Sequence, residues 1–270
     1  MSRIFTFGCS LTEYAWPTWA VIMSYDLKTQ VYNFAKPGMG NVGIHHMILY
    51  ADMIYKFTKD DKILILWSSW SREDRIKDKK WNNSGSVFSQ TYYDRKFLKT
   101  HWDIDNDVVK NSSAIISVNA MYGDLISWQG SWAPLFVPED IKSYKNNSKD
   151  IIDLYKRALP KIPVYKLDGV EVAFSGLVFD SHPDVNRHLQ FTKDVILPSL
   201  GKTIDIDTET RFQKLHNDIE ALVTSFKKAN RESLEYCQRE ISKFIDLNPD
   251  IRKYIIHKDM DNFLQGLDSP

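Results

Sequence analysis

The feature that most constrains the fold is the run KILILW at residues 62–67, in which five consecutive residues are apolar. A strand with one face in water alternates apolar and polar residues, whereas a strand covered on both faces is apolar throughout. Strands of the second kind belong to parallel sheets that have helices packed on each side. The run therefore predicts a central strand of an α/β domain.

The segments before this run repeat a strand and helix pattern. RIFTFG (3–8) and VYNFA (31–35) have the composition of short strands, and the second is followed by the Pro/Gly turn cluster KPGMGN. Residues 11–27 and 42–57 have helical spacing of apolar residues. Strand, helix, strand, helix, strand in this order predicts a three-layer α/β/α sandwich with a parallel, flavodoxin-like sheet.

The middle of the chain interrupts the pattern. Residues 76–110 are polar, aromatic and irregular, and we interpret them as an insert that could serve as a lid. Residues 111–129 and 148–159 are predicted to be helices, and residues 162–167 a further strand.

The composition changes again near residue 206. Apolar residues recur there at three- and four-residue spacing, which predicts one amphipathic helix, a second helix that ends before Pro249, and a third over 254–264. We therefore divide the chain into an α/β domain at 1–205 and a helical C-terminal extension at 206–270. The extension is either packed on the core or a surface for a partner or for homo-oligomer formation.

Charge and cysteine content exclude several classes of protein. Lys plus Arg and Asp plus Glu each number 35, so a nucleic-acid partner and a polybasic membrane anchor are not expected. The N-terminus lacks the apolar region of a signal peptide, and no apolar run is long enough to span a membrane. Two cysteines cannot form a disulfide framework, which favours a cytoplasmic location.

A serine follows the first predicted strand, in the tripeptide Gly8-Cys9-Ser10. The carboxyl edge of a parallel sheet is where α/β proteins bind their ligands. If a helix begins at Leu11 or Thr12, the Ser10 backbone N–H lies at a helix N-terminus and can stabilise an oxyanion. The alternative is that Ser10 is only a helix cap. We expect Cys9 to be a small buried residue.

A nucleophilic serine needs a base and a carboxylate that orients the base. The sequence Asp180-Ser181-His182-Pro183 offers both at close spacing. A carboxylate two residues before the histidine can reach Nδ1 and leave Nε2 for the serine. We therefore predict Ser10, Asp180 and His182 as a catalytic triad that needs no cofactor and no metal.

These blocks resemble the SGNH, or GDSL-type, hydrolase family over roughly residues 3–200. The segment at 8–12 is similar to the family's Gly-Asp-Ser-Leu block, 33–38 to its glycine turn, and 180–183 to its Asp-x-x-His-Pro block. The resemblance implies an acyl-enzyme mechanism in which Ser10 is the nucleophile.

The family's third block is the main departure. Trp67-Ser68-Ser69-Trp70-Ser71-Arg72 stands where the family has glycine and asparagine. The resemblance implies an oxyanion hole made of the Ser10 and Gly38 backbone N–H groups and a third donor, which is either Ser69 or Asn41. Loss of one such donor typically lowers the rate by about 10²–10³-fold.

The tryptophans suggest where a substrate binds. All 8 lie between Trp16 and Trp132, and aromatic rings often line pockets for sugars and acyl chains. We predict that Trp67, Trp70 and Arg72 contact the substrate. The alternatives are that the tryptophans form the core and that residues 72–75 are a solvated loop of ion pairs.

The sequence thus predicts a hydrolase of small esters, with an O-acetyl or short acyl group on a carbohydrate as the preferred substrate. Two alternatives remain open. One is an acyltransferase that uses the same serine, which an acceptor-dependent product would reveal. The other is a catalytically inactive SGNH-like module that binds a glycan or a protein.

Overall fold

A computed structural model describes residues 2–77, 80–87, 96, 98, 100, 102–136, 149–165, 167, 182–228 and 233–258. It is an α/β structure with a five-stranded parallel sheet whose strand order is β6–β3–β1–β2–β7. The strands are β1 (Ile4–Phe7), β2 (Val31–Asn33), β3 (Lys62–Trp67), β4 (Arg72–Lys77), β5 (Lys80–Ser86), β6 (Ile126–Ser131) and β7 (Ile255–His257). The helices are α1 (Trp19–Leu27), α2 (Asn41–Tyr55), α3 (Ile104–Tyr122), α4 (Lys149–Ala158), α5 (Val185–Phe191), α6 (Ile206–Lys228) and α7 (Leu234–Asp246). A π-helical turn, Thr192–Ile196, continues α5 to Leu197–Ser199.

The strand predicted from KILILW is confirmed at the predicted residues. In β3, all residues after Lys62 are buried, as expected for a strand covered on both faces. It pairs in parallel with β1, where Ile4 lies opposite Lys62, and with β6, where Trp67 lies opposite Ser131.

The chain divides into two compact units. The first unit comprises residues 1–9, 34–165 and 257–270. Within it, α2 packs on α3, and α3 packs on α4. Arg3 forms an ion pair with the buried Asp61, with 2.7 Å between Arg3 Nη2 and Asp61 Oδ2. This pair connects the start of β1 to the start of β3. This bond and the Arg3 charge hold the pKa of Asp61 below its ordinary value.

The second unit comprises residues 10–33 and 166–256. Within it, α1 packs on α5 and on α6, and α6 also packs on α7. The apolar stripe predicted for the first C-terminal helix is buried at five positions: Phe212, Leu215, Ile219, Val223 and Phe226. The boundary between domains predicted at 205/206 stays a prediction.

Five predicted elements differ from the structure. The first helix begins at Trp19 rather than near Leu11, because a residue that precedes proline avoids the α conformation and Pro17 follows Trp16. The strand β6 falls in a region predicted as helix, since the chain turns after Tyr122, where Leu125 N–H donates to its carbonyl.

The region predicted as an irregular insert begins with an antiparallel hairpin of β4 and β5. Residues 88–95, where the predicted lid would continue, lie outside the described residues. The strand predicted at 162–167 is reduced to a single bridge between Val164 and Ser131, because Pro163 has no N–H to donate. Where a third C-terminal helix was predicted over 254–264, residues Ile255–His257 form β7, since β-branched isoleucines favour a strand. Residues 259–264 lie outside the described residues.

In the described part of the chain, no helix is both long enough and apolar enough to cross a membrane.

Candidate active site

Ser10 lies in a turn that follows β1, and it is 4% exposed. The turn is held from within the second unit, because the Thr18 hydroxyl donates to the Thr12 carbonyl at 2.6 Å and the Asn33 amide donates to the same carbonyl at 3.4 Å. Helix α1 begins only at Trp19, so the Ser10 N–H is not at the N-terminus of that helix. The helix-dipole argument for Ser10 is therefore wrong. Cys9 is fully buried, as predicted.

His182 lies against the segment that follows Ser10. The Tyr14 ring stacks on the imidazole, with centroids 3.9 Å apart and planes 22° apart. Two residues further on, Trp16 donates its indole N–H to the Pro183 carbonyl at 2.8 Å. Two side chains of residues 10–18 therefore hold residues 182–183, although 167 positions separate Trp16 from Pro183 in the sequence. Asp180, the predicted orienting carboxylate, lies outside the described residues.

Tyr14 is itself held by the C-terminal part of the second unit. The Gln238 side chain on α7 donates to the Tyr14 hydroxyl at 2.5 Å, and the Arg252 guanidinium donates to the Tyr14 carbonyl at 3.4 Å. The Trp16 ring meets the Tyr14 ring edge to face, with centroids 4.6 Å apart. The tyrosine thus has contacts at its ring, its hydroxyl and its backbone.

A second histidine, His188, is buried on α5, six residues after His182. Burial, with a further contribution from the nearby His182 charge, lowers the pKa of His188 to about 3. A neutral, 1% exposed imidazole is a packing residue rather than a second base. The pairing of His182 with Asp180 stays a prediction.

Within the part of the chain described, no hydrogen bond joins the side chains of Ser10 and His182. In enzymes without bound substrate, such bonds are often long and tighten only in the complex. The two residues nevertheless belong to the same compact unit and to contacting segments.

The predicted glycine turn is present in the first unit. Gly38 has φ +83°, and Met39 N–H donates to the Lys36 carbonyl at 3.1 Å. With Pro37 and Gly38 at its two central positions, the turn has the arrangement of a type II turn, in which the third residue needs positive φ. This requirement explains the glycine at position 38 on conformational grounds alone.

The Asn41 side chain forms two hydrogen bonds with the backbone that follows β3. Its amide donates to the Ser68 carbonyl at 3.0 Å, and its Oδ1 accepts from the Ser68 N–H at 2.7 Å. Asn41 is fully buried. Ser69 is partly exposed and its hydroxyl lies 3.0 Å from that of Ser71, so it closes a local turn. The oxyanion role of either residue stays a prediction.

Asp74 is the residue that sequence reasoning missed. Its carboxylate accepts from the Gly40 N–H at 2.8 Å and from the Gly43 N–H at 2.7 Å, at the first turn of α2. These are N–H groups that have no partner within a helix, and Gly40 has no side chain to cap them. Burial raises the pKa of Asp74, and the two N–H donors oppose that rise.

The two glycines make this contact sterically feasible. A Cβ at Gly40 would lie 2.8 Å from Asp74 Oδ2, and a Cβ at Gly43 would lie 3.0 Å from Asp74 Cγ. In the sequence, the two glycines around the start of the predicted helix were the signal that another group approaches the backbone there. Residues 72–75 are therefore not a solvated loop, since they lie in β4 and Glu73 and Asp74 are buried.

The predicted substrate residues lie in the first unit. Trp67 is fully buried and donates to the Gln129 side chain at 3.1 Å. Trp70 is 5% exposed and packs with Val108 and Ile152. The guanidinium of Arg72 lies 5.2 Å from the Trp132 ring centroid and bonds the Met39 carbonyl. Core packing accounts for both tryptophans, and binding of a substrate by any of the three stays a prediction.

Among the residues that the structure describes, no group of three or more His, Cys, Asp or Glu side chains is arranged to hold a metal ion.

Comparison with known proteins provides no assignment of family or function. No family model matches the chain, and no curated protein and no solved structure matches it.

Proposed function

We propose that this chain is a serine-dependent hydrolase of small esters. In this mechanism His182 Nε2 removes the proton of Ser10, and the serine oxygen attacks the ester carbonyl. The alcohol leaves with a proton from His182, and water then releases the acid from the acyl-enzyme. Asp180 fixes the tautomer of the imidazole and stabilises the imidazolium.

The observation that carries the proposal is the contact between residues 10–18 and residues 182–183. The sequence predicts Ser10 as nucleophile and His182 as its base from two short motifs that lie far apart in the chain. The Tyr14–His182 stack and the Trp16–Pro183 hydrogen bond join the segments that contain them. A helix cap at Ser10 would need no such contact, and Ser10 does not cap α1.

The strand order also supports the finer fold assignment. The order β2–β1–β3–β6 corresponds to 2-1-3-4 of a flavodoxin-like sheet, and Ser10 follows the carboxyl end of β1, where ligands of such sheets bind. In this proposal α6 and α7 are a C-terminal helical extension, a location in the cytoplasm is expected, and the substrate is a small or glycan ester. The preference for an acylated carbohydrate rests on the tryptophans and the polar aromatic region alone.

The presence or absence of a third oxyanion donor distinguishes an active hydrolase from the alternative, an inactive binding module. The amide of Asn41 already bonds Ser68, and the hydroxyl of Ser69 already contacts Ser71. If neither donates to an oxyanion, the reaction is slower by about 10²–10³-fold, or the fold serves only to bind a glycan or a protein.

The test is labelling with a fluorophosphonate, read by intact mass and peptide mapping, because such probes trap an activated serine without the true substrate. We compare the natural chain with Ser10→Ala and His182→Ala. The matched controls are Cys9→Ala, which removes the neighbouring thiol, and His257→Ala, which removes an exposed histidine. Far-UV circular dichroism verifies that each variant is folded.

An adduct on Ser10 that disappears in both test variants and persists in both controls is the expected result. Hydrolysis of p-nitrophenyl acetate and of acetylated sugars then distinguishes an esterase from an acyltransferase, since the latter needs an acceptor alcohol to turn over. A folded, unlabelled natural chain would contradict the hydrolase and the acyltransferase alike, and would favour the binding module.

A further inference from the structure

The geometry points to Tyr14 as a positioning residue for His182, held in place by the C-terminal residues Gln238 and Arg252. This inference rests on the proposed function, since it assigns a role to the surroundings of the proposed base. It gives α7 and the segment after it a part in the reaction, in place of a purely structural or oligomer-forming role.

The first step is the stack itself. A ring 3.9 Å from the imidazole centroid and inclined by only 22° covers one face of the His182 side chain. Rotation of the imidazole about its Cβ–Cγ bond would drive its edge into the Tyr14 ring. The stack therefore keeps the imidazole plane close to parallel with the Tyr14 ring, which limits the directions in which its two nitrogens point. A base that must meet a serine at one nitrogen and a carboxylate at the other requires such a fixed orientation.

The second step is the backbone beside the imidazole. The Pro183 carbonyl is fixed by the indole N–H of Trp16, so the residue next to His182 is anchored within the buried interior of the second unit. Trp16 also meets the Tyr14 ring edge to face, at 83°. Side chain and backbone of the base are thus held by two residues of one short segment, the segment that carries Ser10.

The third step is the support of Tyr14. A turn segment without regular structure does not fix a side chain by itself, and here the tyrosine hydroxyl accepts from Gln238 and its carbonyl accepts from Arg252. Gln238 lies on α7, whose buried positions Cys237, Ile241 and Ile245 pack the helix into the second unit. The position of the imidazole therefore depends on residues about 60 positions further along the chain.

The hydroxyl of Tyr14 is not the group that meets His182 in this arrangement. It is engaged by Gln238, and the stacked geometry directs the face of the ring, not the hydroxyl, towards His182. Tyr14 acts through His182, so its removal should affect reactivity of the serine and the environment of the imidazole together.

The test uses the full chain and two readouts. The first is the second-order rate constant for fluorophosphonate labelling of Ser10. The second is the proton chemical shift of the His182 Hε1 by NMR, assigned with His182→Ala, because a stacked ring shifts the imidazole protons upfield without any need for catalysis. The variants are Tyr14→Leu, which removes the ring, and Tyr14→Phe and Gln238→Ala, which each keep the ring and remove the bond between the Gln238 side chain and the tyrosine hydroxyl.

Two matched controls separate this role from general stability. Tyr236→Leu removes a ring from α7 that packs on Phe226, and Gln190→Ala removes an exposed glutamine that bonds Asp194. We expect both controls to keep the labelling rate and the Hε1 shift of the natural chain.

In Tyr14→Leu we expect Hε1 to move downfield and labelling to slow by about 10–100-fold, the effect of a misplaced catalytic group. Tyr14→Phe and Gln238→Ala both lose the bond that holds the ring and keep the ring itself, so each should lose part of the upfield shift and part of the rate. Labelling and Hε1 shift that are unchanged in Tyr14→Leu, or in Gln238→Ala should the first variant not fold, would overturn the inference alone. An unlabelled natural chain would overturn the proposed function, and the Hε1 shift would still report whether Tyr14 stacks on His182.

Discussion

The segment after β1, residues 10–18, and the segment after β3, residues 68–74, begin in the same way and are stabilised differently. Both follow a buried strand and carry serines and tryptophans. The segment after β3 is fixed by charge and by backbone hydrogen bonds: Asn41 bonds both backbone groups of Ser68, and Asp74 bonds two N–H groups of α2. The segment after β1 is fixed by side-chain hydrogen bonds and, in addition, by ring contacts of Tyr14 with His182 and with Trp16.

The difference indicates a division of roles. Buried polar groups that are fully paired with the backbone contribute stability and are not available to a ligand. An aromatic ring that stacks on an imidazole restricts its orientation but leaves both ring nitrogens able to form hydrogen bonds. The segment after β3 therefore has the properties of a structural support, whereas the stack in the segment after β1 leaves the imidazole nitrogens available, as the proposed function requires. The four predictions below are arranged from the largest expected effect to the smallest.

Replacement of Asp74 by Ala should have the largest effect on stability. It leaves the buried N–H groups of Gly40 and Gly43 without an acceptor, and we expect the free energy of unfolding to fall by about 4 kcal/mol. Urea unfolding followed by tryptophan fluorescence measures this. Asp60→Ala, on an exposed aspartate of the same unit, is the control and should change stability little. Equal effects in the two variants would remove the support role assigned to Asp74.

Acid should destabilise the protein through His188. Because its pKa is lowered to about 3 in the folded chain and is near 6.5 when unfolded, the unfolded chain binds the extra proton first. The stability contribution is therefore complete above about pH 6.5 and falls by about 1.4 kcal/mol for each pH unit below it.

His188→Gln, which cannot titrate, should reduce the loss between pH 6.5 and pH 4.5 by about 3 kcal/mol relative to the natural chain. Unfolding titrations at the two pH values measure the difference. His257→Gln, at an exposed histidine, is the control for the loss of an imidazole elsewhere in the chain. A His188→Gln chain with the natural pH dependence would show that this imidazole is not kept neutral by burial.

Asn41→Ala should lower the free energy of unfolding by about 2 kcal/mol, because the buried N–H and carbonyl of Ser68 lose their partner. The measurement is again urea unfolding. Asn106→Ala removes an exposed asparagine from α3 and should cost little. An unfolding midpoint in Asn41→Ala that matches this control would mean that the amide does not hold the segment after β3.

Trp16→Phe should have the smallest of the four effects, about 1.5 kcal/mol, since it removes one hydrogen bond to the Pro183 carbonyl and keeps most of the ring. Trp132→Phe is the matched control, because the indole N–H of Trp132 is buried without an acceptor among the described residues. If the control loses as much stability as Trp16→Phe, the loss comes from ring size and not from the bond to Pro183.

The sequence by itself determined the strands and the helices whose signal is local. The strand β3 and the helices α2, α4, α6 and α7 were predicted correctly. A strand buried on both faces is a continuous apolar run, and a helix buried on one face has a regular apolar stripe, so both can be recognised from neighbouring residues alone. The Pro/Gly turn at Gly38 was also local, since positive φ selects glycine. The start of α1 and the strands β6 and β7 were not predicted correctly. They depend on contacts with residues far away in the sequence, which no local pattern reveals.

Only the tertiary structure decided how the candidate site is held. Motifs identified Ser10 and His182, but nothing local connects Tyr14 with His182 or Gln238 with Tyr14, which are separated by more than 160 and 220 positions. In the same way, Asp74 was read as part of an ion-pair loop, and its role as the cap of α2 follows from the approach of β4 to two glycines. Hydrogen bonds and ring stacks act over a few ångströms in space, so their partners are fixed by packing and not by position along the chain.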